Sequence, residues 1–92
     1  AREIEDAISA TGEVHECAVI GLPDELLGER IVAYVVPMTP DDFEIAVFKK
    51  NLKRHLAGYK LPREIVVLTD LPKNESGKIM KKDLKARYRS SG

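Results

Sequence analysis

Apolar positions in the first ten residues recur at a helical interval. Ile4, Ala7 and Ile8 share one face of Arg2 to Ala10, with charged residues between them. Thr11-Gly12 follows, and glycine is the usual residue just past a last helical turn. From Val14 to Gly21 the rhythm changes. Val14, Cys17, Ala18, Val19 and Ile20 put apolar groups on both faces of an extended segment, which predicts a central strand. Leu22-Pro23-Asp24 predicts a turn, and Gly28 a second tight bend. Ile31 to Val36 reads as another strand, rich in β-branched residues. Pro37 to Pro40 is a linker, and Asp41 or Asp42 is placed to cap the next helix. That helix extends toward Leu56, with Phe43, Ile45, Val47, Phe48, Leu52 and Leu56 as a broad apolar stripe. Lys49, Lys50, Lys53 and Arg54 cover its outer face, and Ala57-Gly58 stops it. Glu64 to Thr69 predicts a third strand. Lys81 to Arg89 predicts a basic helix with Leu84 and Tyr88 inward, and the end from Arg89 to Gly92 is expected to fray.

This order of elements predicts a small α+β domain, a sheet of about three strands flanked by helices. A minor hairpin is expected near Pro72 to Ile79. With 92 residues the chain makes one domain, large enough for a modest core but not for a deep active site. Apolar content of 43% and charged content of 33% are those of a globular protein rather than a disordered one. The longest apolar run, Ile31 to Val36, is too short to cross a bilayer, and no secretory leader pattern opens the chain. One cysteine, Cys17, allows no internal disulfide and fits a reducing cytoplasm. The helical pattern begins at Arg2 without a capping residue ahead of it, which suggests a piece of something longer.

Formal net charge is zero but unevenly spread. Glu3, Glu5, Asp6, Glu13, Glu16, Asp24, Glu25 and Glu29 crowd the first third, while Lys73, Lys78, Lys81, Lys82, Lys85, Arg87 and Arg89 crowd the tail. A basic tail faces water, a phosphorylated ligand or nucleic acid. With only Tyr88 interleaved among those bases for stacking, nucleic acid is the weakest of the three. His15 and His55 sit in different elements without partners at metal-ligand spacing, so no metal site is expected. Cys17 reads as a small buried hydrophobe rather than a nucleophile. Gly77-Lys78 lacks the upstream glycine of a phosphate-binding loop.

The stretch with chemical promise is Leu71 to Leu84. Pro72 presets a turn, Asn74, Ser76 and Gly77 accept tight-turn conformations, and Lys78 follows the glycine directly. A glycine there lets the backbone approach another surface closely. Ile79, Met80 and Leu84 are placed to anchor this loop, leaving one ammonium to be delivered elsewhere.

Pro72-Lys73-Asn74-Glu75-Ser76-Gly77-Lys78-Ile79 resembles the C-terminal lysine motif of the adenylate-forming acyl-CoA synthetases. Val19-Ile20-Gly21-Leu22-Pro23-Asp24-Glu25, then Gly28-Glu29-Arg30 and Ala33-Tyr34-Val35-Val36-Pro37, resemble the same family, as does Tyr59-Lys60-Leu61-Pro62-Arg63. The resemblance covers nearly all of the chain. It implies that residues 1–92 form the C-terminal lid of an ATP-dependent carboxylic acid–CoA ligase whose catalytic domain lies upstream. It further implies Lys78 as the adenylation lysine, supported by Asn74, Ser76 and Gly77, and Tyr59, Lys60 and Arg63 as the face toward CoA. ATP and Mg would be held mainly by the absent N-terminal domain. The resemblance also marks Lys78 as a position whose acetylation would silence adenylation. Two other readings stand beside it: the lid of a peptide-synthetase adenylation domain or luciferase-like enzyme, and a free-standing binding module for a phosphorylated partner.

Overall fold

A computed structural model of the chain describes residues 2–24, 26, 28–56 and 61–91. Helix α1 spans Arg2–Ala10, strand β1 Val14–Asp24 and strand β2 Gly28–Pro37; a short 3-10 turn at Pro40–Asp42 precedes helix α2, Ile45–Lys53. Strand β3, Glu64–Val67, and helix α3, Lys81–Ser91, complete the order. The strands form one mixed sheet, β1-β2-β3, antiparallel between β1 and β2 and parallel between β2 and β3.

Both faces of this sheet are covered, and the strand residues divide between them by their period of two. Val19, Ala33 and Val35 pack with Ile4, Ala7 and Ile8 of α1 and with Phe48, Leu52 and Leu56 from α2 and the turn after it. Ala18, Ile20, Leu22, Val32, Tyr34 and Val36 point the other way, against Leu71 and Leu84. Three layers result, with the sheet in the middle.

This arrangement corrects the expected place of β1. β2 is the central strand and β1 is an edge. An apolar pattern on both sides reports covered faces, not paired edges, so it could not distinguish the two. The exposed edge of β1 is protected in another way: Glu5 of α1 reaches across, and its Oε2 accepts the backbone N–H of Val19 at 2.9 Å. The expected turn at Leu22-Pro23-Asp24 is also strand, with Pro23 opposite Glu29 and Asp24 opposite Gly28. A proline is tolerated there because an edge strand need not donate on its outer side. Gly28, with φ of +79°, takes the left-handed conformation as β2 begins.

Helix α2 is shorter and narrower than its pattern suggests. Asp41 and Asp42 lie in the 3-10 turn, and the residue at the helix N-cap is Glu44, without a side-chain cap. Phe48 and Leu52 are buried on the helix and Leu56 just beyond it, whereas Ile45 and Val47 remain 40% and 46% exposed. The buried row runs at intervals of four, and Ile45 and Val47 fall beside it. Phe43 lies against Phe48, ring centroids 5.4 Å apart. After Lys53, hydrogen bonds from His55 and Leu56 to the Leu52 carbonyl carry one more turn. The stop expected at Ala57-Gly58 lies outside the described residues.

β3 ends at Val67, short of Thr69, although the Leu68 N–H still donates to the Val35 carbonyl at 2.9 Å. α3 continues to Ser91, past the point where fraying was expected. Leu84 is fully buried at its root, and the Leu84 carbonyl accepts the Tyr34 hydroxyl at 3.4 Å. Near its end the Tyr88 hydroxyl accepts from the Arg30 guanidinium and donates to Glu64 at 3.2 Å, joining α3 to the starts of β2 and β3.

Cys17 is half-buried, and its thiol points at the Glu5 carbonyl 3.7 Å away. Burial raises its pKa, and the Glu5 charge raises it further. The folded chain therefore holds the thiol proton more tightly than the unfolded chain does. This contribution to stability is complete below the ordinary thiol range and is lost as pH rises through the raised value. Two outcomes follow from this packing. Phe48→Ala should cost about 3–5 kcal/mol in urea unfolding, against less than about 0.5 kcal/mol for Ile45→Ala. Iodoacetamide at about pH 8.5, near the free-thiol pKa, should label Cys17 more slowly in the folded chain than in urea.

Candidate functional site: a lysine at the tip of a pinned hairpin

Between the buried side chains of Leu71 and Leu84 the chain leaves the second core and returns to it. Lys73 to Lys78 are all exposed in between. With no packing to shape them, these residues depend on hydrogen bonds. Lys73 pairs with Ile79 in an antiparallel bridge, and the Met80 N–H donates to the Pro72 carbonyl at 2.8 Å. The Asn74 N–H donates to the Lys78 carbonyl at 2.9 Å, and the Gly77 N–H to the Asn74 carbonyl at 3.0 Å. These bonds close a hairpin around Glu75, Ser76 and Gly77. Three-residue connections of this kind end on a left-handed residue, and Gly77 supplies it with φ of +83°.

The Asn74 side chain locks the tip. Its Oδ1 accepts two backbone N–H groups, from Ser76 and from Lys78, each at 2.9 Å. A side chain that hydrogen-bonds its own backbone two residues on is the reason asparagine favours turns. Here the same oxygen also reaches the backbone of Lys78. The requirement for glycine at 77 is conformational: a Cβ there would meet nothing within 4 Å, so crowding is not its cause. Ser76 contributes its backbone to the Asn74 cap. Lys78 is exposed, and among the described residues it makes no ion pair.

Two neighbouring lysines are engaged instead. Lys73 Nζ lies 2.6 Å from Glu16 Oε2 on β1, and 3.6 Å from Asp70. Its hydrogen bond to Glu16 holds its pKa above the usual lysine value. Lys81 Nζ lies 2.9 Å from the same Glu5 oxygen that accepts the Val19 amide. The partners of the hairpin were not identifiable as such in the sequence. Their only sign was the uneven charge, acids early and bases late, which these contacts partly explain.

The second predicted group is only partly described. Tyr59 and Lys60 lie outside the described residues. Arg63 is exposed, and its backbone N–H donates to the Ile31 carbonyl at 2.9 Å, starting the pairing of β3 beside β2. Just before it, Leu61 and Pro62 form, with Leu52 and Ile65, an apolar groove of about 190 Å³ bordered by Lys49 and Lys53. The lysine hairpin rests beside β1 through Lys73 and Glu16, and Arg63 leads into β3, so the hairpin and Arg63 stand toward opposite edges of the sheet. Among the described residues, no three His, Cys, Asp or Glu side chains gather into a metal site.

The family described as the AMP-binding enzyme C-terminal domain matches residues 3–78. Among curated proteins, 2-succinylbenzoate–CoA ligase of Listeria monocytogenes is 42% identical over 86 residues, covering 94% of this chain and 18% of the ligase. Pyochelin synthase PchD of Pseudomonas aeruginosa is 37% identical over 89 residues, covering 97% of this chain and 16% of the synthase. Among solved structures, Mycobacterium tuberculosis fatty acyl CoA synthetase superposes with a TM-score of 0.86 at 37% identity, covering 97% of this chain and 18% of that one. The chain thus spans less than a fifth of these relatives. The match over residues 3–78, ending on Lys78 itself, together with the shared fold, shows that the chain belongs to the AMP-binding enzyme C-terminal domain family.

Proposed function

We propose that residues 1–92 are the C-terminal lid of an ATP-dependent carboxylic acid–CoA ligase, and that Lys78 is its adenylation lysine. The observation that carries this reading is an exposed ammonium on a rigid support: Lys78 follows Gly77 at the tip of a hairpin whose backbone Asn74 fixes. In the reaction proposed, the substrate carboxylate attacks the α-phosphate of ATP, giving an acyl-adenylate and pyrophosphate. The CoA thiol then displaces AMP from the acyl carbon.

The first step brings two anions together. An ammonium placed between them offsets their repulsion and the charge that develops on the phosphate oxygens. A compact point charge on a flexible stem suits that position, and the planar fork of arginine would not reproduce it. ATP and its Mg²⁺ are assigned in this reading mainly to the catalytic domain proposed upstream. The groove bordered by Lys49 and Lys53 supports a CoA-facing role for the segment around Arg63, because it pairs apolar walls with ammonium groups suited to phosphates. Tyr59, Lys60 and Arg63 are proposed for that face. Opposite edges for the Lys78 hairpin and Arg63 suit a lid that presents one in adenylation and the other in thioester formation.

The similarity to pyochelin synthase PchD favours a second reading, in which the same adenylation is followed by transfer to an acceptor other than CoA. Both readings use Lys78 identically, and product analysis with and without CoA separates them. In the full-length enzyme, Lys78→Ala should lower ATP–pyrophosphate exchange by about 10²–10³-fold across a panel of carboxylic acids. Exchange equal to wild type would reduce Lys78 to a surface charge. Acetylation of Lys78 deletes the same charge and should give the same loss, checked by exchange on quantitatively acetylated enzyme.

A further inference from the structure

Packing does not determine the direction in which Lys78 points. Leu71 and Leu84 bury the two feet of the segment and Ile79 packs partly beside them, but Lys73 through Lys78 touch no core. A hairpin attached only at its feet is free to tilt against the sheet. The contacts that oppose tilting are electrostatic, and one stands on each leg. On the incoming leg, Lys73 reaches Glu16 of β1 at 2.6 Å, with the two side chains only 33% and 21% exposed. Just past the outgoing leg, Lys81 reaches Glu5 of α1 at 2.9 Å, with 42% and 24% exposed. Glu5 is itself held by the Val19 amide on the β1 edge, so both acids are fixed relative to β1.

From this geometry we infer that Glu16 is a positioning residue for the adenylation step, acting through Lys73, with Lys81–Glu5 as the second point of the same clamp. The inference rests on the role proposed for Lys78. Lys73 is well placed to transmit the constraint. It faces Ile79 across the hairpin and adjoins Asn74, whose carboxamide holds the Lys78 amide. A charge pinned at Lys73 therefore sets the plane of the whole tip. Asp70 is a weaker partner at 3.6 Å and is 77% exposed, which leaves Glu16 as the main anchor.

The test uses full-length enzyme, the carboxylic acid that gives the fastest wild-type exchange, and the acyl-adenylate of that acid made synthetically. Glu16→Gln and Lys73→Glu should each lower ATP–pyrophosphate exchange by about 10–100-fold, the scale expected for a misplaced reacting group. Thioester formation from the supplied acyl-adenylate and CoA should stay within about twofold of wild type, since that step does not use the Lys78 charge. The double reversal, Glu16→Lys with Lys73→Glu, should recover exchange relative to either single variant. Wild-type exchange in both single variants would overturn the clamp. So would a parallel loss of both half-reactions without rescue, which would mean general damage to the lid. Lys78→Ala run alongside separates the two levels of the argument. If it abolishes exchange while the Glu16 and Lys73 variants do not, only the clamp falls. If Lys78→Ala exchanges normally, the reading of Lys78 falls and the clamp with it.

Discussion

One side-chain oxygen organises the exposed hairpin that carries Lys78. Asn74 Oδ1 accepts the amides of Ser76 and Lys78, and without it the exposed tip would keep only the backbone bonds of the hairpin, with Lys73 still paired to Glu16. Exposed loops ordinarily remain mobile because ordering each residue costs about 1–2 kcal/mol of backbone entropy. A lysine on such a loop would sample many positions and reach its target in few of them. The carboxamide, the left-handed Gly77 and the bridge between Lys73 and Ile79 reduce that freedom before any substrate is met. In the proposed function this preorganisation is what makes a single exposed charge effective.

The rest of the fold supplies a platform for that hairpin. A sheet covered on both faces gives β1 apolar neighbours on each side, with α1 and α2 on one and Leu71 and Leu84 on the other. The second face then carries the hairpin. Glu16 lies two residues before Ala18 along β1 and shares its face, the one from which the hairpin rises. The opposite edge belongs to β3, whose start at Glu64 follows Arg63 and the groove beside Lys49 and Lys53. In the proposed function, one small sheet keeps the Lys78 hairpin and the Arg63 segment apart, as a lid with two working positions requires.

Much of this was legible in the sequence, for identifiable reasons. The helical spacing of Ile4, Ala7 and Ile8 and the β-branched run of β2 report burial directly, and burial is what drives those elements to form. The turn chemistry from Pro72 to Gly77 located the hairpin and its lysine. Three features were less legible. The side-chain pattern of β1 describes its two faces but not its edge, so its place in the sheet was misjudged. Ile45 and Val47 look like core but fall beside the row of Phe48, Leu52 and Leu56. Glu5 and Glu16 carry no local signal, because their meaning depends on lysines brought near only by the fold.

The account depends most directly on the claim that Asn74 holds the Lys78 backbone in an otherwise exposed loop. Amide hydrogen exchange by NMR on the ¹⁵N-labelled 92-residue chain and its Asn74→Ala variant tests it. The account predicts that the Ser76 and Lys78 amides exchange more slowly than random-coil rates, and that both lose this protection in the variant while the amides of β2 keep theirs. Random-coil exchange at Ser76 and Lys78 in the unaltered chain, or protection unchanged by Asn74→Ala, would contradict it.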